Sequence, residues 1–409
     1  MNSMAPTIRS MLEEQESASL HPRAALSRAS RGRDRADPED DMRPAFQRDR
    51  DRILHAKSFR RLMGKTQVFL APRGDHYRNR LTHTLEVAQV GRSIARALRL
   101  NEMLVEAMVM GHDLGHTPFG HAGERVLNAM MPGGFHHVQQ SVRVVEVLEK
   151  EGEGLNLTVE VRDGILRHSK GRGQVLMAGG GVKAMTLEAE IVRLADIVAY
   201  VNHDLDDAVR GGLLREDEVP REIAAVLGGR HSVRLHTLVG DVIRSSDLDG
   251  GGHISMSADV HGALLALRDF LYARVYENPV VQEEFRKAQH ILEDLHGWCL
   301  EDGDRLRTRF GVVPRPGEDL PRAVADFLYA RVYENPVVNE EFVKAQRILR
   351  ELFGWLVEDP ERLARRFHVR PRPGEGVERA VTDFVSGMTD RFALESWEQI
   401  AVPRPWALV

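Results

Sequence analysis

Six of the chain's 18 histidines lie between His83 and His137, in a sequence with six tyrosines and four tryptophans. Four residues in and beyond that stretch could together hold a metal: His83, the adjacent pair His112 and Asp113, and Asp196. Two imidazoles and two carboxylates form a mixed nitrogen and oxygen set. That set suits Mn²⁺, Fe²⁺, Co²⁺, Ni²⁺ or Zn²⁺ better than Ca²⁺, which prefers oxygen throughout. Neighbouring residues on a helix point about 100° apart, so His112 and Asp113 can share one ion only at a helix end or between helices. Gly115 and Pro118 place an end there. The segment EMLVEAMVMGHDL is mostly apolar up to this pair, and burying two ionisable groups without a partner is costly. A metal would compensate both.

Asp196 stands in the apolar run IVRLADIVAYV. Helical spacing puts Tyr200, Asp204 and Asp207 about 40°, 80° and 20° from it, on one stripe. This stripe reads as the wall of a polar pocket, with a solvated face as the alternative. In HDLGHTPFGHAGE, His116, His121 and Glu124 follow the ligand pair. His121 and Glu124 are three apart, so the carboxylate can orient the imidazole as a general acid, although such a pair is also ordinary on a helix surface. Arg78 and Arg80 in DHYRNRLTH can recognise phosphate or simply be solvated. The glycines at 179–181 lack the lysine and helix of a phosphate-binding loop, which excludes a Walker-type NTPase.

Helices must position these residues. The periodicity predicts helices from Thr82, as cap, to Leu98, Glu102 to Leu114, near His121 onward, Gln139 to Glu149, Val159 to Arg167 and Leu187 to Val209. Pro44 to Leu62 reads as one amphipathic helix or a solvated basic face, and KTQVFLAPRGDHYRNR as a short strand, turn and return. GRGQVLMAGGG reads as a hairpin or loop. The expected fold is all-α: a helical bundle with a short β-hairpin and additional C-terminal helices. Residues 1–42, rich in Arg, Asp, Ser and Pro, read as a mobile tail, followed by a catalytic core over 43–268.

The C-terminal region, 269–409, carries a duplication. DFLYARVYENPVV occurs at 269–281 and again at 326–338, which defines two 57-residue units, 269–325 and 326–382. Each has room for two helices and a proline-rich loop. One lone cysteine, Cys299, excludes a disulfide framework within the chain, and a net charge of −5 gives no global attraction for nucleic acid. No run approaches the roughly 18 apolar residues of a membrane span, and the N-terminus lacks a signal peptide's apolar block. The expectation is a cytoplasmic protein with no membrane partner.

The ordered set His83, His112-Asp113, Asp196 resembles the HD superfamily of helical phosphohydrolases. Four longer blocks, RDRDRILHAKSFRRLMGKTQVF, GDHYRNRLTHTLEVAQV, GHDLGHTPFGHAGE and IVRLADIVAYVNHDLDDA, resemble the dGTP triphosphohydrolases, over roughly residues 30–400. The resemblance implies an HD-domain bundle. It implies hydrolysis of dGTP or several dNTPs to deoxynucleoside and inorganic triphosphate, by attack of metal-bound water on the α-phosphorus. One divalent metal per subunit is implied, Mn, Mg or Co, with Fe, Ni or Zn as alternatives. His121 and Glu124 resemble the catalytic pair, with His116 beside them, and Arg80 falls where a metal-bound substrate is within reach. Gln67 resembles a nucleoside contact, and Tyr200 and Asp204 resemble contacts to the sugar and its 3′-hydroxyl. His137 resembles a histidine near the phosphates, although HHVQQS departs from the usual HNAQS. The resemblance further implies a homo-oligomer, a hexamer among the options, with dNTPs as substrates and as candidate activators.

Two other readings compete. One is an HD-type nucleotidase or alarmone hydrolase, and the other a nucleotide-sensing or nucleic-acid-binding module using the ten arginines from Arg28 to Arg61. Seven acidic residues interrupt that segment, so single-stranded DNA is a weakly supported partner.

Overall fold

A computed structural model describes residues 6–67, 78–169, 184–210, 214–250, 252–271 and 339–401. Its helices are α1 (Ile8–Ser19), α2 (Ala45–Leu54), α3 (Lys57–Arg61), α4 (Arg80–Ala97), α5 (Glu102–His112), α6 (Gly120–Met130), α7 (His137–Arg143) and α8 (Val159–Arg167). They continue with α9 (Leu187–Arg210), α10 (Arg221–Leu227), α11 (His231–Ser245), α12 (Ala258–Leu271), α13 (Asn339–Glu358), α14 (Pro360–Phe367), α15 (Val377–Ser386) and α16 (Asp390–Ala401). The fold is all-α. Among the described residues no strand forms, and none of the helices is long and apolar enough to cross a membrane.

Helix α5 is central because its apolar residues surround it. Leu104, Val105, Ala107, Met108, Val109 and Met110 are all buried, and α5 packs on α2, α4, α8 and α9. Asn101 starts it by accepting hydrogen bonds from the Met103 and Leu104 amides. Close approach depends on missing side chains. A Cβ at Gly91 would lie 2.8 Å from Val105 Cγ1, and one at Gly111 2.3 Å from Ile165 Cδ1. The long α9 runs past α4 and α5 with sixteen buried positions, Asp204 and Asp207 among them.

Three expectations need correction. Asn79, rather than Thr82, caps α4, by accepting the Thr82 amide at 2.9 Å. The expected helix over 44–62 breaks into α2 and α3, because Glu149 captures the Ser58 amide at 2.7 Å and caps the second piece from outside. The N-terminal tail is not a bare mobile coil. It forms α1, and its charges are paired with the core. Glu188 accepts the Ala25 amide, Glu160 accepts the Arg31 amide and the Ser30 hydroxyl, and Arg33 pairs with the buried Asp49. Composition showed few large apolar residues to order the segment, whereas polar contacts to the core hold it. The C-terminal region is divided between two compact units. Residues 1–267 and 348–409 make one compact unit, and 268–347 make a second.

The base of the expected hairpin is one antiparallel bridge, Thr66 to Asn79. Its body, the GRGQVLMAGGG segment and the first repeat copy beyond Leu271 lie outside the described residues. The second copy is described from Asn339. It supplies α13, α14 and the start of α15, with the proline-containing loop between the last two.

Candidate metal centre

Three helices bring the four expected ligands together. His83 comes from the first turn of α4, His112 ends α5, Asp113 is its cap and Asp196 lies mid-way along α9. His83 Nε2 is 3.1 Å from Asp196 Oδ1. His112 Nε2 is 3.4 Å from Asp113 Oδ1 and 3.8 Å from Asp196 Oδ1. One ligand atom each of His83, His112 and Asp113 falls within 4.8 Å of the others, and Asp196 joins this group through the two imidazoles. His112 Nδ1 donates to the Val109 carbonyl at 2.6 Å, which fixes the tautomer and leaves the lone pair on Nε2. That Nε2 is buried with no hydrogen-bond partner. A buried, orphaned imidazole nitrogen facing two carboxylates fits a divalent cation.

The electrostatics agree. Burial opposes ionisation of Asp113, but His112, His116 and Arg80 outweigh it and hold the carboxyl well below its usual range. Asp196 is also lowered despite burial, chiefly by its hydrogen bond with His83. Burial likewise opposes charge on His83, and Asp196 raises its pKa nonetheless. Both carboxylates are therefore ionised at neutral pH, as ligands must be.

His116 and Asp113 are joined, with Nε2 to Oδ1 at 3.2 Å. Burial, followed by the charges of Arg80 and His137, pushes His116 well below the ordinary imidazole range, so it is neutral. Its ring stacks on His137 at 4.0 Å between centroids. His121 projects from the start of α6 and is 56% exposed, with Nδ1 3.5 Å from Glu124 Oε2. The carboxylate is shared. Glu124 Oε1 lies 2.8 Å from His137 Nδ1, closer than its approach to His121, and accepts the His137 amide at 2.9 Å. Burial alone would raise Glu124, but these imidazoles lower it, so it remains an anion. The turn into α6 is strained: Phe119 sits at φ 60°, ψ 26° and Gly120 at φ 54°. Left-handed backbone costs a non-glycine residue on the order of 1–2 kcal/mol.

Arg80 is 2% exposed and donates to Asp113 Oδ2 at 2.7 Å, while its Nε is buried without a partner. Arg78 points elsewhere. Its guanidinium is bound by Glu86, Asp206 and Asp207, which removes it as a phosphate ligand. Gln67 is buried with its Oε1 unpartnered, Asp204 is buried and Tyr200 half-buried. Two residues escaped the sequence reading. His168, at the end of α8, lies 4.9 Å from the His112 ring and donates through Nδ1 to Ile165, as His112 does to Val109. Burial pulls it down to about 4. Its sequence signal was weak, because the helix it closes, VEVRDGILR, carries charged residues throughout. Lys65, buried and brought down to about 7 by desolvation, had no such signal. A surface groove lined by Arg43, Arg52, Lys57, Arg60 and Glu149 among others contains none of these groups.

The HD domain matches residues 80–201, the stretch that holds all four ligands. The phosphohydrolase-associated domain matches twice, at 254–328 and 321–399, as the duplication requires. A deoxyguanosinetriphosphate triphosphohydrolase-like protein of Caldanaerobacter subterraneus is 44% identical, over 98% of this chain and 97% of its own. The chain belongs to the deoxyguanosinetriphosphate triphosphohydrolase-like family. Relatives of the same description from Desulfatibacillum aliphaticivorans (45% identical, 98% of this chain, 99% of that one) and Ralstonia nicotianae (38%, 93% and 94%) span this family member as fully. It is accordingly a metal-dependent HD phosphohydrolase.

Proposed function

We propose that the protein hydrolyses deoxynucleoside triphosphates to deoxynucleoside and inorganic triphosphate. What supports this reading is a run of neighbouring groups: the orphaned His112 Nε2 with its carboxylates, Arg80 and His116 on Asp113, and the His121–Glu124 pair, whose imidazole lies 6.1 Å from the His116 ring. A divalent ion held by His83, His112, Asp113 and Asp196 would lower the pKa of water and screen phosphate charge, with Mn²⁺, Mg²⁺ or Co²⁺ ahead of Fe²⁺, Ni²⁺ or Zn²⁺.

The chain's own groups do the rest. Water forms a bond to the α-phosphorus as the bond to the 5′-oxygen breaks, and that oxygen needs a proton. With His121 Nδ1 turned to Glu124, Nε2 is the atom that delivers it. His116, neutral, orients Asp113 through Nε2. Arg80 and His137 take phosphate oxygens, Gln67 meets the nucleoside, and Tyr200 and Asp204 meet the sugar. A tyrosine against the sugar excludes a 2′-hydroxyl by bulk.

The test is product analysis, with each dNTP and NTP, singly and mixed, in Mg²⁺, Mn²⁺ or Co²⁺. Inorganic triphosphate released from a dNTP is expected, and stimulation in mixtures would add activation by dNTPs. Orthophosphate released from deoxynucleoside monophosphates, with triphosphates untouched, overturns the reading in favour of a nucleotidase.

A further inference from the structure

The catalytic turn is held from far along the chain. Asp390, which opens α16, accepts the Phe119 amide through Oδ1 at 2.8 Å across 271 residues of sequence. Its other oxygen accepts the Thr66 amide at 2.9 Å and the Thr66 hydroxyl. One half-buried carboxylate thus ties the left-handed residue that precedes α6 to the segment that holds Gln67. Nearby contacts repeat the pattern. Lys65 donates from one ammonium to the His116 carbonyl and, at 2.9 Å, to the Ser386 carbonyl. Arg61 reaches the Gly387 carbonyl at 3.2 Å.

The consequence follows from backbone physics. A non-glycine residue keeps a left-handed conformation only where its surroundings over-determine it. Phe119 has such surroundings, and the anchor is a side chain that touches neither the ligands nor the His121–Glu124 pair. We propose that Asp390 is a positioning residue: it pins the turn at Phe119 and thereby aims the first turn of α6, with His121 and Glu124, at the pocket. The kinetic part of this assignment rests on the hydrolase reading above, while the structural part does not.

The experiment uses the metal-loaded full chain with Asp390→Ala and Asp390→Asn. Metal content, amide hydrogen exchange across residues 115–124, kcat and KM are measured together. In Asp390→Ala, exchange in that segment should accelerate about tenfold or more while metal stays bound. A misaimed acid should cost roughly 10- to 100-fold in kcat, with KM within about threefold. Asp390→Asn keeps a carbonyl oxygen for the Phe119 amide and should recover most of the exchange protection and part of kcat. Unchanged exchange in a folded Asp390→Ala overturns the proposal. If Asp390→Ala fails to fold, Asp390→Asn decides: metal loss or a KM rise matching the kcat fall would mark a merely structural residue. Should the parent protein hydrolyse no dNTP, the substrate reading falls, and the exchange measurement still decides Asp390.

Discussion

Helices α4 and α9 enclose two polar clusters of similar composition and different internal balance. At one, His83, His112, Asp113 and Asp196 face one another, and His112 Nε2 finds no partner among them. At the other, Glu86, Asp206 and Asp207 gather around Arg78 with His203 alongside, Nδ1 3.0 Å from Glu86. In the second cluster the protein supplies its own cation: burial opposes the charge on Arg78, but the three carboxylates outweigh it and leave the guanidinium even more firmly protonated than usual. In the first, the only guanidinium, Arg80, is directed to one oxygen of Asp113. Two acid clusters on the same pair of helices therefore differ in whether the charge they need is covalently attached. That difference separates a structural network from a metal centre better than composition does.

Substitutions can break the comparison, and the largest effect is expected at the ligands. His112→Ala or Asp196→Ala should abolish hydrolysis and strip most bound metal while circular dichroism stays helical. Near-parental turnover in either would end the metal assignment. Next comes His121, which lies beside the first cluster without belonging to it. His121→Ala should lose about 10² to 10⁴ in kcat with metal retained. Metal loss would instead make it a ligand.

The Arg78 cluster should answer in stability and leave metal unaffected. Breaking a fully buried ion pair costs about 3–5 kcal/mol. Arg78 is only half buried and its partners Glu86 and Asp206 are partly exposed, so Arg78→Met should cost about 1–3 kcal/mol in urea unfolding. Metal content falling in step with stability would show that the two clusters are one. The smallest effect is expected for removal of residues 269–325, which joins Arg268 to Asp326 with the repeat in register. Triphosphate release should stay within about tenfold of the parent, a barrier change of roughly 1.4 kcal/mol, and gel filtration should show a folded product. An insoluble or inactive deletion would make both copies part of the working structure.

The helices were legible because their apolar periodicity and caps are local, and the ligands because charge in apolar sequence demands a partner. His112 and Asp113 announced themselves at the end of α5 in this way. The tail misled because its salt bridge to Asp49 and its backbone hydrogen bonds to Glu160 and Glu188 join residues far apart in sequence. Glu124 was correctly singled out beside His121, yet its shorter bond to His137 depends on how α7 docks against α6, which spacing cannot reveal. Arg78 and Arg80 read alike in sequence. Arg80 opens α4 and reaches Asp113, whereas Arg78 lies before the extended Asn79 cap and turns to three carboxylates.

The glycines that let α5 nestle among its neighbours restrict how this enzyme can be engineered. Replacing glycine by alanine within helices is a common route to higher melting temperature, since alanine lowers the entropy of the unfolded chain. At Gly91 and Gly111 the added methyl would meet Val105 or Ile165 well inside van der Waals contact. Alanine there would push α4 or α8 away from the helix that ends in His112 and Asp113. In a screen scored by activity, these two silent-looking positions should be less tolerant than a helical glycine with open space around it, such as Gly262.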